Sequence, residues 1–169
     1  ASDSVMKDFR DAITLNERAG DLRQRIDAQI NYSEGLRLRG ELQEAQKVCA
    51  LALAAARKLA EPYYVMSSRL QCAVIARDQG NSELAIAELS AVRGDAERQK
   101  DAARLADAVI NLAQIRLAEP DAQAVCEDLN TAAEAYARAD SATGEANARG
   151  LLALCLDGKG RSAERDKAI

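Results

Sequence analysis

The sequence contains no histidine and no tryptophan, and its 169 residues include only one phenylalanine, four tyrosines and two prolines. The missing histidine removes the commonest general base and the commonest metal ligand. No glycine-rich loop follows a strand-like run, which excludes a phosphate cradle of that type. A cysteine nucleophile would have no imidazole to draw off its proton. Carboxylate pairs such as Glu127–Asp128 fit a solvated helix face. The expectation is a protein without enzymatic activity: no catalytic residue, cofactor-binding residue or metal ligand is assigned, and no cofactor.

Charge of one sign never accumulates. The 23 basic and 27 acidic residues interleave to a formal charge of −4, and no basic stripe stands out, so nucleic acid is excluded as the expected partner. No apolar run, that containing residues 50–56 included, is long enough to span a bilayer, so no membrane is expected. The four cysteines, Cys49, Cys72, Cys126 and Cys155, show no C-x-x-C pairing. Cys49 and Cys72 fall on core-facing helical positions, where a free thiol behaves as a small hydrophobe. All four are read as reduced structural thiols in a reducing, cytoplasmic compartment.

What the sequence has is aliphatic residues and good helix formers, Ala, Leu, Arg, Gln and Glu, with little to interrupt them. It also repeats. Residues 40–52, GELQEAQKVCALA, return forty positions later as GNSELAIAELSAV and forty beyond that as PDAQAVCEDLNTA. Gly40, Gly80, Pro120 and Gly160 thus share one spacing, and a second series on the same spacing, Asp21, Glu61, Asp101 and Ser141, precedes long helical patterns. Asp and Ser are strong N-caps, and Glu61 is followed by Pro62, a residue suited to the first helical position. A period carrying two helix boundaries predicts stacked helix pairs.

The expected organisation is a single all-α domain over residues 1–169. Residues 1–20 form an N-terminal helix or half-repeat, 21–60, 61–100 and 101–140 are full repeats, and 141–169 is a partial one. The N-terminal helix places Val5, Phe9, Ala12 and Ile13 one period before Ala45, Cys49, Ala52 and Leu53. Gly94–Asp95 is expected to end or kink the second helix of repeat two, and Gly158–Lys159–Gly160 to turn the chain after Asp157. Beyond the N-terminal helix, the repeats give seven full helices and the stub of an eighth. Each first helix carries a small residue at one point, Ser33, Ala73, Ala113 and Ala153, where the helices of a hairpin would cross most closely. The apolar residues Leu151, Leu152, Leu154 and Leu156 are expected to lack cover, as in a piece of a longer protein that pairs with itself through that end.

The small residue, the glycine turn, and the Ala–apolar–small spacing of four and three (Ser33, Gly40, Ala45, Cys49, Ala52; then Ala73, Gly80, Ala85, Leu89, Val92; then Ala113, Pro120, Val125, Leu129, Ala132) resemble the tetratricopeptide repeat family. The fourth copy keeps Ala153 and Gly160 but has Arg165 at the Ala position. The repeat is forty residues rather than 34, and the family's large first-helix aromatics and closing proline are absent. Forty-residue versions occur in bacterial signalling and regulatory proteins and in eukaryotic polarity adaptors. A HEAT-type solenoid shares the period range; pentatricopeptide RNA readers fit neither the charge nor the repeat length.

The resemblance implies a right-handed α–α superhelix of about four helix hairpins, with first helices lining a concave groove. The groove residues would be Asp27, Ile30, Asn31, Glu34 and Arg37 in repeat one, and Ser67, Leu70, Gln71, Val74 and Arg77 in repeat two. Repeat three would add Asp107, Ile110, Asn111, Gln114 and Leu117, and repeat four Asn147, Leu151 and Leu154. Asn31, Gln71 and Asn111 share a level and can bond a peptide backbone, while Arg37 and Arg77 form another, with no acid fixed between them on that slot, suited to a carboxylate. The Lys and Asn of the clamp that holds chaperone C-termini are replaced by Ile30 and Glu34. The resemblance therefore implies a non-catalytic protein- or peptide-binding scaffold of a signalling or regulatory protein. Alternatives are a ligand- or peptide-sensing domain whose superhelix changes shape on binding, or a structural spacer.

Overall fold

The structure, a computed structural model, describes residues 2–116 and 122–167. Those residues form eight helices and no strand: α1 (Asp3–Ala19), α2 (Leu22–Leu38), α3 (Leu42–Leu59), α4 (Pro62–Asp78), α5 (Ser82–Gln99), α6 (Ala102–Arg116), α7 (Ala122–Arg138) and α8 (Ala142–Lys167). The fold is all-α, built from helices that pack on their sequence neighbours as in a helical-repeat solenoid. None of the described helices is long and apolar enough to cross a membrane.

Of the expected caps, Asp21 and Asp101 act through their side chains. Asp21 accepts a hydrogen bond from the Gln24 N–H at 3.0 Å, and Asp101 from the Arg104 N–H at 3.0 Å. Asn81 does the same for the Leu84 N–H at 3.2 Å. Glu61 makes no such bond; its carboxylate pairs with Arg23, and Pro62 starts α4. Gly40 and Gly80 leave α2 and α4 with φ of 78° and 81°, left-handed values that Gly adopts without steric cost. The period also appears where the sequence hides it: Gly20, Ala60, Lys100 and Asp140, forty residues apart, all have positive φ.

The chain divides into two compact units, residues 1–88 and 89–169, with the boundary inside α5. In the first, α1 packs on α2, α2 on α3, α3 on α4, and the two first helices α2 and α4 also meet. On α3 the buried residues Ala45, Val48, Cys49, Ala52, Ala55 and Ala56 follow steps of three and four, one stripe of a helix. Ser33, Ala45 and Ala73 are fully buried, as expected of small residues at close helix crossings. In α1 Phe9, Ala12 and Ile13 are half-buried in the expected slots, but at the start of the helix the buried residue is Met6 rather than Val5, which is 41% exposed.

In the second unit α6, α7 and α8 pack around Val109, Ala113, Val125, Leu129, Ala132 and Tyr136, with Leu151 and Leu152 against them. Two expected breaks do not occur. α5 runs through Gly94 to Gln99, because Val92 and Ala96, one turn apart and both fully buried, keep its apolar stripe continuous across the glycine. α8 runs through Gly158–Lys159–Gly160 to Lys167. Glycine disfavours a helix interior by only ~1 kcal/mol, too little to end a helix where the next segment has no apolar face to fold back with. Consequently no second helix among the described residues covers Ala153, which is exposed, contrary to its expected place at a crossing. Leu154 and Leu156 are exposed at 63% and 53%, as expected, whereas Leu151 and Leu152 are half-buried.

The cysteines overturn the reading of four free thiols. Cys49 of α3 is bonded to Cys72 of α4, with Cα atoms 5.6 Å apart, and Cys126 of α7 to Cys155 of α8, at 5.7 Å. Both bridges join a second helix to the first helix of the following repeat, so proximity comes from stacking and not from sequence spacing. Cys49 and Cys72 stand nine and thirty-two residues after Gly40; Cys126 and Cys155 stand six and thirty-five after Pro120. The second pair is displaced three residues in each direction, which along antiparallel helices is the same crossing moved by about one turn.

Candidate functional site

The expected groove residues of repeats one and two lie in the first unit, and the structure brings Glu34, Arg37, Gln71 and Arg77 into one hydrogen-bonded group. Arg37 near the end of α2 grips Glu34, one turn earlier, through two bonds of 2.7 Å. It also reaches across to Asp78 of α4 at 2.5 Å. Arg77 binds the other oxygen of Asp78 at 3.0 and 3.1 Å, and Gln71 donates to Glu34 at 3.0 Å. The arginines therefore come to adjacent places on neighbouring first helices, as the period requires. No acid stands on the arginines' own slot, but Asp78, one residue beyond Arg77, reaches between them and pairs with both.

Two cations and two anions neutralise one another here, so Arg37 does not present an unpaired guanidinium to a partner's carboxylate. Arg37 holds the Glu34 carboxyl below the usual glutamate range, and Glu34, followed by Asp78, holds the Arg37 guanidinium above its own. Asn31 is exposed beside this group, and Val74 is half-buried on α4. Asp27, a half-buried carboxylate on α2, is shifted the other way: burial, then the charge of Asp21, pushes it above the aspartate range.

The remaining groove residues belong to the second unit. Asp107 of α6 accepts a hydrogen bond from the Tyr136 hydroxyl of α7, so its carboxylate is spent on packing the unit together. Burial, then Asp107, pushes the Tyr136 phenol well above the ordinary range. Asn111 bonds the Asp107 carbonyl within its own helix at 2.8 Å, and Gln114 is exposed. Ile110 is 4% exposed and belongs to the core, a correction to its place in the groove. Leu117 lies outside the described residues. Tyr136 was missed because nothing in its helical position marks it; Gly144, which makes room for its ring, was the available signal.

Among the described residues no group of three or more His, Cys, Asp or Glu side chains is placed to hold a metal ion. No protein-family model matches the sequence, and a search of curated proteins finds no match.

Proposed function

We propose that this chain is a tetratricopeptide-like scaffold without catalytic function, whose first-helix face in the unit 1–88 binds an extended segment of a protein partner. The observation that carries the reading is the cross-linked row on α2 and α4: Glu34, Arg37, Gln71, Arg77 and Asp78 fix each other's rotamers across two repeats. Side chains already immobilised lose little entropy on binding, which favours recognition by a preformed surface. Because that row is neutral overall, it fits a polar, mixed-charge segment better than the acidic terminus expected from the arginines alone. Asn31, exposed beside the row, can bond a peptide backbone without demanding a sequence.

Two disulfides support an oxidising compartment for this work over the cytoplasm expected from the sequence, since such bonds rarely persist in reducing cells. The test is affinity capture with the oxidised chain, comparing wild type, Asn31→Arg/Val74→Arg, and the opposite-surface control Lys47→Ala. Proteins retained by wild type and control but lost with the double variant support the reading. Identical capture by all three refutes it.

A further inference from the structure

Two stripes that the repeat buries elsewhere are bare on α1 and α8. A second helix in this fold touches two first helices, as α3 touches α2 and α4, whereas α1 meets α2 alone within its unit. The stripe that a second helix turns onto its own first helix begins at Ala45, Ala85 and Val125, all buried, and continues to Ala55 and Ala135, also buried. In α1 those slots hold Val5 and Leu15, both exposed, with exposed Asp8 between them. First helices return the complementary stripe. Ile26, Met66 and Ala106 begin it, and Ser33, Ala73 and Ala113 stand at its crossing, every one buried. In α8 those slots hold Ala146 and Ala153, and Leu156 takes the place of the buried Leu36 and Ala76; all three are exposed. Helix α1 therefore carries the bare face of a second helix, and α8 that of a first helix.

The two faces match in size and in charge. In repeat one Leu36 shares a core cluster with Ala45, and Ile26 shares one with Ala55, which sets the antiparallel register of the hairpin. Carried along the forty-residue period, that register sets Leu156 against Val5 and Ala146 against Leu15. The second pair keeps one large and one small side chain, as Ile26 and Ala55 do, exchanged between the helices. Charge follows the same register. Arg69 of α4 meets Glu88 of α5 at 3.4 Å across the hairpin of repeat two. The same slots two periods away hold Arg149 on α8 and Asp8 on α1, both exposed and again opposite in sign. Arg149 also bonds Glu145, one turn earlier on its own helix, at 2.8 Å.

We propose that a second copy of this chain covers α8 with its α1, so that copies join head to tail through the same hairpin pairing that closes each repeat. Asp8 of one copy then pairs with Arg149 of the other, as Glu88 does with Arg69. The contact is heterologous, so each added copy presents a fresh α8 and association continues past a dimer unless a ring closes. None of the α2–α4 row takes part, and the two proposals succeed or fail separately.

The test is sedimentation velocity of the oxidised chain from micromolar to millimolar concentration, where the mean mass of wild type rises steadily. Leu15→Arg blocks α1 and Ala153→Arg blocks α8, so each variant alone is monomeric. Mixed in equal amounts they form a dimer and nothing larger, because each supplies the face that the other has lost. Asp8→Arg and Arg149→Asp each set like charges against one another and weaken association by at least about tenfold. Both reversals in one chain restore it. All four positions are exposed, so the variants keep the helical circular dichroism of wild type. A wild type that stays monomeric throughout, or association that survives Leu15→Arg, as pairing of α8 with α8 would, overturns the proposal. So does a mixture without dimer, or a charge reversal that the second reversal does not rescue.

Discussion

Two glycines of α8, six residues apart, are expected to respond in opposite directions to the same substitution. A Cβ at Gly144 would lie 2.6 and 2.7 Å from Cε1 and Cγ of Tyr136, distances that real contacts do not reach. At Gly150 a Cβ would meet nothing within 4 Å. Replacing a helical Gly by Ala contributes up to about 1 kcal/mol through helix propensity, and at Gly150 nothing opposes that gain. At Gly144 the tyrosine ring must move, and Cγ is its root, so rotating the ring tip does not relieve the clash. Overpacking costs about 1–3 kcal/mol. Displacing the phenol also loosens its bond to Asp107, worth about 1.5–3 kcal/mol for a charged partner. The steric loss wins. Gly144→Ala should destabilise by roughly 2 kcal/mol and Gly150→Ala stabilise by up to about 1 kcal/mol, read from urea melts by circular dichroism. In a Tyr136→Leu background, adding Gly144→Ala should cost nothing or stabilise. Two single variants shifting the same way, or a Gly144 penalty that survives the loss of the ring, would refute the reasoning.

Other substitutions follow from burial, charge and crosslinks. Ala73→Leu, at a fully buried helix crossing, should cost about 1–3 kcal/mol in a thermal melt, whereas Ala153→Leu and Ala137→Leu, both exposed, should shift Tm little. Breaking the bridges that close 23 and 29 residues, by Cys49→Ala/Cys72→Ala or Cys126→Ala/Cys155→Ala, should cost on the order of 3.5 kcal/mol each by loop entropy. Thiols that alkylate in the native protein without reductant would show the bridges to be absent. Glu34 has a folded-state pKa below its unfolded value, so its contribution is present above the ordinary glutamate pKa and is lost as pH falls through the depressed one. The stability gap between wild type and Glu34→Gln should therefore close toward acid pH, and a gap independent of pH would contradict this assignment.

The helices were legible because their boundaries are set locally: Asp21 and Asp101 need only the next few N–H groups, and Gly40 and Gly80 only a backbone angle. The buried small residues, from Ser33 to Ala132, were legible because period and helical spacing agree. Gly94 and Gly158–Lys159–Gly160 misled because glycine permits a turn without enforcing one; what decides is whether the flanking apolar stripe has somewhere to go. The site was legible in part. One period correctly placed Arg37 beside Arg77, but pairing depends on side chains that reach between helices, and Asp78 lies one residue off the slot that the repeat singles out. The disulfides depend on stacking between repeats, and their one signal was the opposed three-residue displacement of the two cysteine pairs.

The bridges also set how the chain bears load. Force applied at its two ends passes through Cys49–Cys72 and Cys126–Cys155 rather than along the segments between those residues. An unfolded residue extends by at most ~3.6 Å, so the bridges withhold roughly 80 and 100 Å of contour length. A stretched oxidised chain would stop short of its full reach, with the turns at Ala60 and Asp140 never drawn straight. A reductant acting on the already extended molecule would release that slack in two discrete steps, turning the chain into a tether whose maximum length reports the redox state around it.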